Sequence, residues 1–205
     1  MIRVGILGEI GSGKSYIAKT FGYPVFNADY EVSILYKKDK KIFRKLNRIL
    51  PKYFYKFPIN KLKISEAILA DKKNLAKIIK IVHLEIKKKM LAFLKKNRNK
   101  KIVVLDIPLY FENKMNKKND IIIFLKTIKK EADKRIKKRK NFSKKLLNIL
   151  RESQLPLKQK RKKSKYILVN NYDAAIMKKK VKILKVKILK DKILKDKILN
   201  DRSSS

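Results

Sequence analysis

Gly8-Glu9-Ile10-Gly11-Ser12-Gly13-Lys14-Ser15 is the stretch on which the reading of this chain turns. It fits the pattern G-x-x-x-x-G-K-[ST] at every fixed position, and its surroundings fit as well. The apolar run Ile2 to Leu7 before it has the character of a buried parallel strand, and a helix is expected from about Lys14 through Phe21. Glycines let such a loop curl so that successive N–H groups point inward at phosphate oxygens. The N-terminus of the following helix adds positive potential. Lys14 is placed to reach the β- and γ-phosphates of a nucleoside triphosphate, and the Ser15 hydroxyl is the expected ligand of its magnesium ion. Gly11, Ser12, Gly13 and Tyr16 complete the candidate nucleotide site. The pattern alone does not choose between kinase, GTPase and ATPase.

Outward from the loop, short apolar runs alternate with helical patterns. Strands are expected at Tyr23–Phe26, Ile102–Asp106, Asp120–Leu125 and Tyr166–Val169. Between the second and third, Leu75, Ile78, Ile79, Val82, Ile86, Met90 and Leu94 keep helical spacing behind Asp71, a capping residue type. Further helices are expected at Glu131–Arg139 and Phe142–Leu150. This alternation predicts an α/β fold, a parallel sheet with helices on both faces. From Val181 a K-[VD]-K-I-L unit recurs every five residues, with Ile-Leu pairs starting at 183, 188, 193 and 198. Five residues advance a helix by about 500°, so successive pairs rotate around it. The expectation is a low-complexity tail over 181–205 with no single apolar stripe, dispensable for chemistry.

Composition narrows the function classes. The chain has 205 residues, 44% of them hydrophobic, which suffices for a globular core. It has no cysteine, which excludes disulfides, zinc–thiolate sites and cysteine nucleophiles. The N-terminus runs from a short apolar stretch straight into a glycine-rich turn, so it reads as a strand rather than a signal peptide. A cytoplasmic protein without a membrane partner is expected. The net charge of +41 points toward polyanions, but the positive residues are mostly lysines spread along nearly the whole chain. We read this as compositional bias, with weak nonspecific polyanion binding and no dedicated nucleic-acid partner.

In open α/β sheets ligands bind beyond the carboxyl ends of the strands. Two acids stand there. Asp106 ends the run Ile102-Val103-Val104-Leu105 and has the form of a Walker B acid, a metal ligand. Asp29 follows the second strand, and spacing alone does not choose between a base for an acceptor hydroxyl and a helix cap. Arg135 and Arg139, four residues apart, lie on one helix face and are placed to stabilise charge on a phosphoryl group in transfer, although a solvated surface pair has the same pattern.

Taken in order, these motifs resemble the dephospho-CoA kinase family over about residues 2–173. GEIGSGKS resembles that family's GGIGSGKS, and Asn27-Ala28-Asp29 resembles its DAD. His83-Leu84 stands where the family has His-Pro, and DIPLYFE at Asp106–Glu112 resembles the family-specific D-x-P-L-L-F-E. R-x-x-x-R is kept at Arg135 and Arg139, Gln154-Leu155-Pro156 with Lys160 resembles Q-x-P…K, and Asn170-Asn171 resembles an asparagine pair after the last strand.

The resemblance implies transfer of a phosphoryl group from ATP to the ribose 3′-hydroxyl of dephospho-CoA, with magnesium, by a monomer. It implies a five-stranded parallel core (1–30, 101–128 and 160–180) within one domain over 1–180, a helical acceptor-binding insertion over about 31–100, and a lid over about 129–159. It implies Asp29 as base with Lys14, Arg135 and Arg139 as catalytic partners. Lys61, His83, Asp106, Leu109 and Glu112 would join Asp29 on the acceptor, Arg139 and Asn170 would bind ATP, and Ser15 with Asp106 would hold the metal. Four positions depart from the family: Glu9 for glycine, Asn27 for the first acid of DAD, Lys61 for arginine, and Leu84 for proline. Glu9 puts a negative charge near the triphosphate unless its side chain turns away. Two alternatives stay open: another small-molecule or nucleotide kinase on the same loop, or a basic nucleic-acid-binding protein that keeps the loop only as a scaffold.

Overall fold

The computed structural model describes the backbone of residues 1–201 and side chains through Leu194; Ile198-Leu199, the last pair of the repeat, lies outside the described side chains. Five strands form one sheet in the order β2-β3-β1-β4-β5: β1 (Ile2–Gly8), β2 (Val25–Asn27), β3 (Ile102–Asp106), β4 (Ile121–Thr127) and β5 (Tyr166–Asn170). Every pairing is parallel. Helix α1 (Lys14–Thr20) links β1 to β2. Four helices, α2 (Ala28–Lys38), α3 (Lys40–Ile49), α4 (Lys61–Ala70) and α5 (Lys73–Lys96), stand between β2 and β3. Three more, α6 (Lys129–Lys137), α7 (Lys144–Glu152) and α8 (Leu157–Lys162), stand between β4 and β5, and α9 (Ala174–Asp201) follows. No helix among the described residues is long and apolar enough to cross a membrane.

The central strands are continuous apolar runs because both faces of the sheet are covered. All five residues of β3 are buried. On one face, Leu7, Phe26 and Leu105 pack against Leu35, Ile42, Leu46, Ile78, Val82 and Met90 of helices α2, α3 and α5. On the other, Val4, Ile6, Val104 and Ile123 pack against Ile17 and Ala18 of α1 and Phe21 just after it. The register sets Asn27 beside Asp106 and Gly8 beside Leu125, so the ends of β1, β2 and β3 open onto one crevice. The chain builds the sheet first to one side of β1 and then to the other, which is where ligands bind in such sheets.

Local signals set the boundaries. The second strand is Val25–Asn27 rather than Tyr23–Phe26, because the Asn27 side chain accepts from Tyr30 N (2.7 Å) and turns strand into helix there. Asp71 accepts from Lys73 N (2.8 Å) at the head of α5, as its residue type suggested. Ser143 accepts from Leu146 N (3.2 Å), so α7 begins at Lys144 instead of Phe142.

The tail departs from its expected character. Helix α9 runs unbroken through the repeat, and Met177, Val181, Leu184 and Ile188 are buried in the layer that covers α1 and β5. Their spacing of four, three and four residues is one helical stripe. The stripe takes Leu184 from one repeat unit and Ile188 from the next, leaving Ile183 70% exposed. It ends at Asp191, which accepts from Tyr166 Oη and pairs with Lys165 Nζ (2.8 Å). A boundary at residue 180 therefore cuts through a packed helix, and Val181, Leu184 and Ile188 of the repeat belong to the core. Ile188→Ala should lower stability by about 2–4 kcal/mol, and Ile183→Ala by less than about 0.5 kcal/mol. Denaturant midpoints of the two variants check this; equal values would return the tail to a dispensable appendage.

Candidate active site

The loop between β1 and α1 is held in shape by contacts that only glycine permits. Gly13 caps α1 in the left-handed region (φ 90°), and a Cβ there would stand 2.8 Å from Asn170 Nδ2. Gly11, at φ 85°, would meet Ile136 at 2.7 Å and the Ala132 carbonyl at 2.9 Å, both on α6. Asn170, buried at the end of β5, donates to the Ser12 carbonyl (2.8 Å) and accepts from Tyr172 N (2.8 Å). Tyr172 Oη donates to the Gly11 carbonyl (3.1 Å). Lys14 Nζ lies across the loop and donates to the carbonyls of Gly8 (3.1 Å) and Glu9 (2.8 Å). Burial, set against the attraction of Asp106, lowers the Lys14 pKa to about 8.

Gly11, Gly13, Lys14, Ser15, Tyr16, Asp29, Asp106, Arg135 and Arg139 line one cleft of about 390 Å³. A second, largely apolar hollow of about 410 Å³ opens beside it between α2, α4, α5 and the segment after β3, and holds His83 and Leu109. The two spaces share Ile10, Asp29, Pro108, Arg139 and Gln154. The glycine-loop cleft and the apolar hollow thus meet at one carboxylate and one guanidinium.

Asp29 stands in the first turn of α2, and the cap of that helix is Asn27. The capping alternative for Asp29 falls away. Its side chain meets the water of the open cleft, but the surrounding protein and the neighbouring Asp106 charge raise its pKa. Lys14, Arg139 and Lys61 act in the other direction, so all three cations bear on this carboxylate. Asp106 is buried, and its Oδ2 accepts from Asn27 Nδ2 at 2.6 Å. The same amide nitrogen reaches Ser15 Oγ at 3.5 Å. A hydroxyl and a carboxylate within reach of one amide fit a hard cation that takes one or two protein oxygens and completes its shell with phosphate and water.

Other expected residues are placed less simply. His83 lies in the wall of the apolar hollow, with Nδ1 buried and without a partner. Burial and Lys87 lower its pKa, which favours the neutral ring. Lys61 lines an adjoining groove with Tyr55 and Lys56 rather than the cleft itself. Arg135 stacks on the Tyr172 ring, 4.0 Å from its centroid, while Arg139 stays exposed at the junction of the two spaces. Glu112 lines neither space. Its Oε1 accepts from Leu155 N (2.7 Å) and pairs with the fully buried Lys160 (2.9 Å), which also donates to Gln154 Oε1 (2.9 Å). Glu112 therefore anchors the Gln154–Lys160 stretch. Tyr172 and Gln154 are cleft residues that the motif reading did not assign to the site, although both adjoin motif positions. Glu9 does turn away from the cleft, toward Arg151.

A glycine loop with its lysine, an acid at the end of a neighbouring strand, and an acceptor hollow opening onto the same carboxylate define a P-loop kinase of small molecules. The family model for dephospho-CoA kinase matches residues 2–175. The chain belongs to that family. The dephospho-CoA kinase of Wolbachia sp. subsp. Brugia malayi is 32% identical over 170 residues, 80% of this chain and 87% of the relative. Among solved structures, TT1252 from Thermus thermophilus superposes with a TM-score of 0.72 at 23% identity, over 90% of this chain and 95% of that one. Dephospho-CoA kinase from Campylobacter jejuni gives 0.57 at 24% identity, over 92% and 96%. Structural likeness at that identity carries the fold alone.

The lowered Lys14 pKa has a measurable consequence. Below about pH 8 the free loop carries the ammonium, and above it the charge is lost. Bound phosphate favours the charged form, so binding above that pH must take up a proton. ATP affinity should fall as pH rises through about 8, with proton uptake visible by calorimetry in buffers of different ionisation enthalpy. Lys14→Ala should remove the uptake together with most of the affinity.

Proposed function

We propose that this chain transfers the γ-phosphoryl group of ATP to the ribose 3′-hydroxyl of dephospho-CoA, with Asp29 as the base. The observation that carries the reading is the meeting of the two spaces at Asp29 and Arg139. Family membership supplies the acceptor. ATP lies on the 8–15 loop, with backbone N–H groups and Lys14 around its β- and γ-phosphates. The ribose of the acceptor enters from the apolar hollow, where His83 Nδ1 offers a polar contact and Leu109 a packing surface.

Asp29 accepts the proton of the 3′-hydroxyl. The freed oxygen attacks the γ-phosphorus, the bond to the β–γ bridging oxygen breaks, and ADP leaves with that electron pair. A raised pKa makes the carboxylate a better proton acceptor. Arg139, at the junction, offsets charge on the transferring group, and Arg135 can join it by leaving Tyr172. Ser15 and Asp106 would hold magnesium, which when bound neutralises charge on the β- and γ-phosphate oxygens. Asn27, where the family has an acid, cannot add a charge to that site, so its part is to orient Asp106. Asn170 acts through the loop it braces rather than on the nucleotide.

In this reading helices α2 to α5 form the acceptor-binding insertion and residues of about 129–159 the lid, and the enzyme works as a cytoplasmic monomer. The rival kinases would phosphorylate another alcohol or nucleotide, so ATP consumption with dephospho-CoA against a panel of both separates them. Asp29→Asn keeps the shape of the side chain. It should leave melting temperature and ATP affinity nearly unchanged and reduce turnover by roughly 10²-fold or more. Near-normal turnover in a folded Asp29→Asn protein would leave the base unidentified and the proposed mechanism wrong.

A further inference from the structure

Glu9 places a carboxylate in a loop built to receive phosphate, where like charge opposes the ligand. The side chain is only 14% exposed, so water does little to screen it. Its Oε1 accepts from Arg151 Nη2 at 2.7 Å. Arg151 sits in the last turn of α7 and donates from the same nitrogen to Asp133 Oδ1 on α6 at 2.6 Å. The phosphate loop, α6 and α7 thus converge on one guanidinium. Apolar contact already seats α6 on the loop, with Ile136 and Ala132 against Gly11. Arg151 is not needed to bring α6 to the loop; what it adds at this point is charge.

We infer that Arg151 is a positioning residue for nucleotide binding. Its guanidinium neutralises Glu9 and holds the carboxylate away from the triphosphate, which lets this loop carry an acid where the family motif has glycine. The inference rests on the triphosphate reading of the loop and is independent of which acceptor is phosphorylated. Arg151 touches neither substrate, and its removal acts through Glu9: an uncompensated, half-buried charge beside a polyanion site.

The test is a double-mutant cycle read as ATP affinity by calorimetry, with no acceptor present. Arg151→Met should weaken ATP binding about tenfold, and Glu9→Gln in the same chain should restore it to within about threefold of the parent. Arg151→Gln, which keeps a hydrogen-bonding amide and removes only the charge, should show the same loss and the same recovery if the methionine variant folds poorly. A purely structural role for Arg151 predicts a loss that Glu9→Gln does not repair, and that result overturns the inference. So does unchanged affinity in both arginine variants while the parent binds ATP. A parent that binds no ATP defeats the triphosphate reading itself, and the inference with it.

Discussion

The phosphate loop leaves no room for a methyl group at two of its turns, and much of the molecule is arranged by that closeness. At Gly11 the side of α6 lies against the backbone, and at Gly13 the Asn170 amide does. These contacts fix the start of α6 and the end of β5 relative to β1, and therefore the position of Arg135, Arg139 and Tyr172 around the cleft. A loop that only has to curl can use glycine for its dihedral angles alone. Here glycine also admits two neighbours at van der Waals distance, so the loop serves as a packing centre as well as a ligand cradle.

The walls around the cleft and the hollow are organised on a different principle. Their polar groups are few and individually braced. Asp106 is held by Asn27, and Glu112 is spent on Lys160 and the Leu155 amide. That leaves Asp29 at the junction, with Lys14, Arg139 and Lys61 bearing on it, and the His83 Nδ1 in the hollow without a hydrogen-bond partner. A buried or crowded polar group without a partner is unfavourable in the folded chain, and such groups concentrate where a ligand completes them. The segment from Asp106 to Glu112 thus divides its labour: the first acid faces the cleft, and the last one fastens the wall behind it.

Much of this was legible in the sequence because the signals are local. The strand, the glycine loop and the helix after it are contiguous, so periodicity and spacing identify them together. The two acids at strand ends were found for the same reason. What spacing does not carry is the choice between neighbours of similar chemistry. Asn27 and Asp29 are both capping residue types, two positions apart, and the hydrogen bond from Tyr30 N decides in favour of Asn27. Glu112 lies in a family motif, yet its partner Lys160 is far along the chain. Arg151 is one of 58 basic residues, and nothing in composition distinguishes the one that meets Glu9. The repeat was misread because its period was tested on the Ile-Leu pairs as units, whereas the helix draws one residue from each of two pairs.

Helix α9 meets the rest of the protein along one side as far as Asp191, and beyond it Ile193 and Leu194 face outward. The pentad units from Val181 onward are near-identical in amino-acid sequence. A unit gained or lost among them leaves Ile-Leu pairs at 183/184 and 188/189, so like residues refill the buried stripe. The same event past Asp191 would alter the length of α9. The fold thus constrains the residue types at Val181, Leu184, Ile188 and Asp191 rather than the number of units.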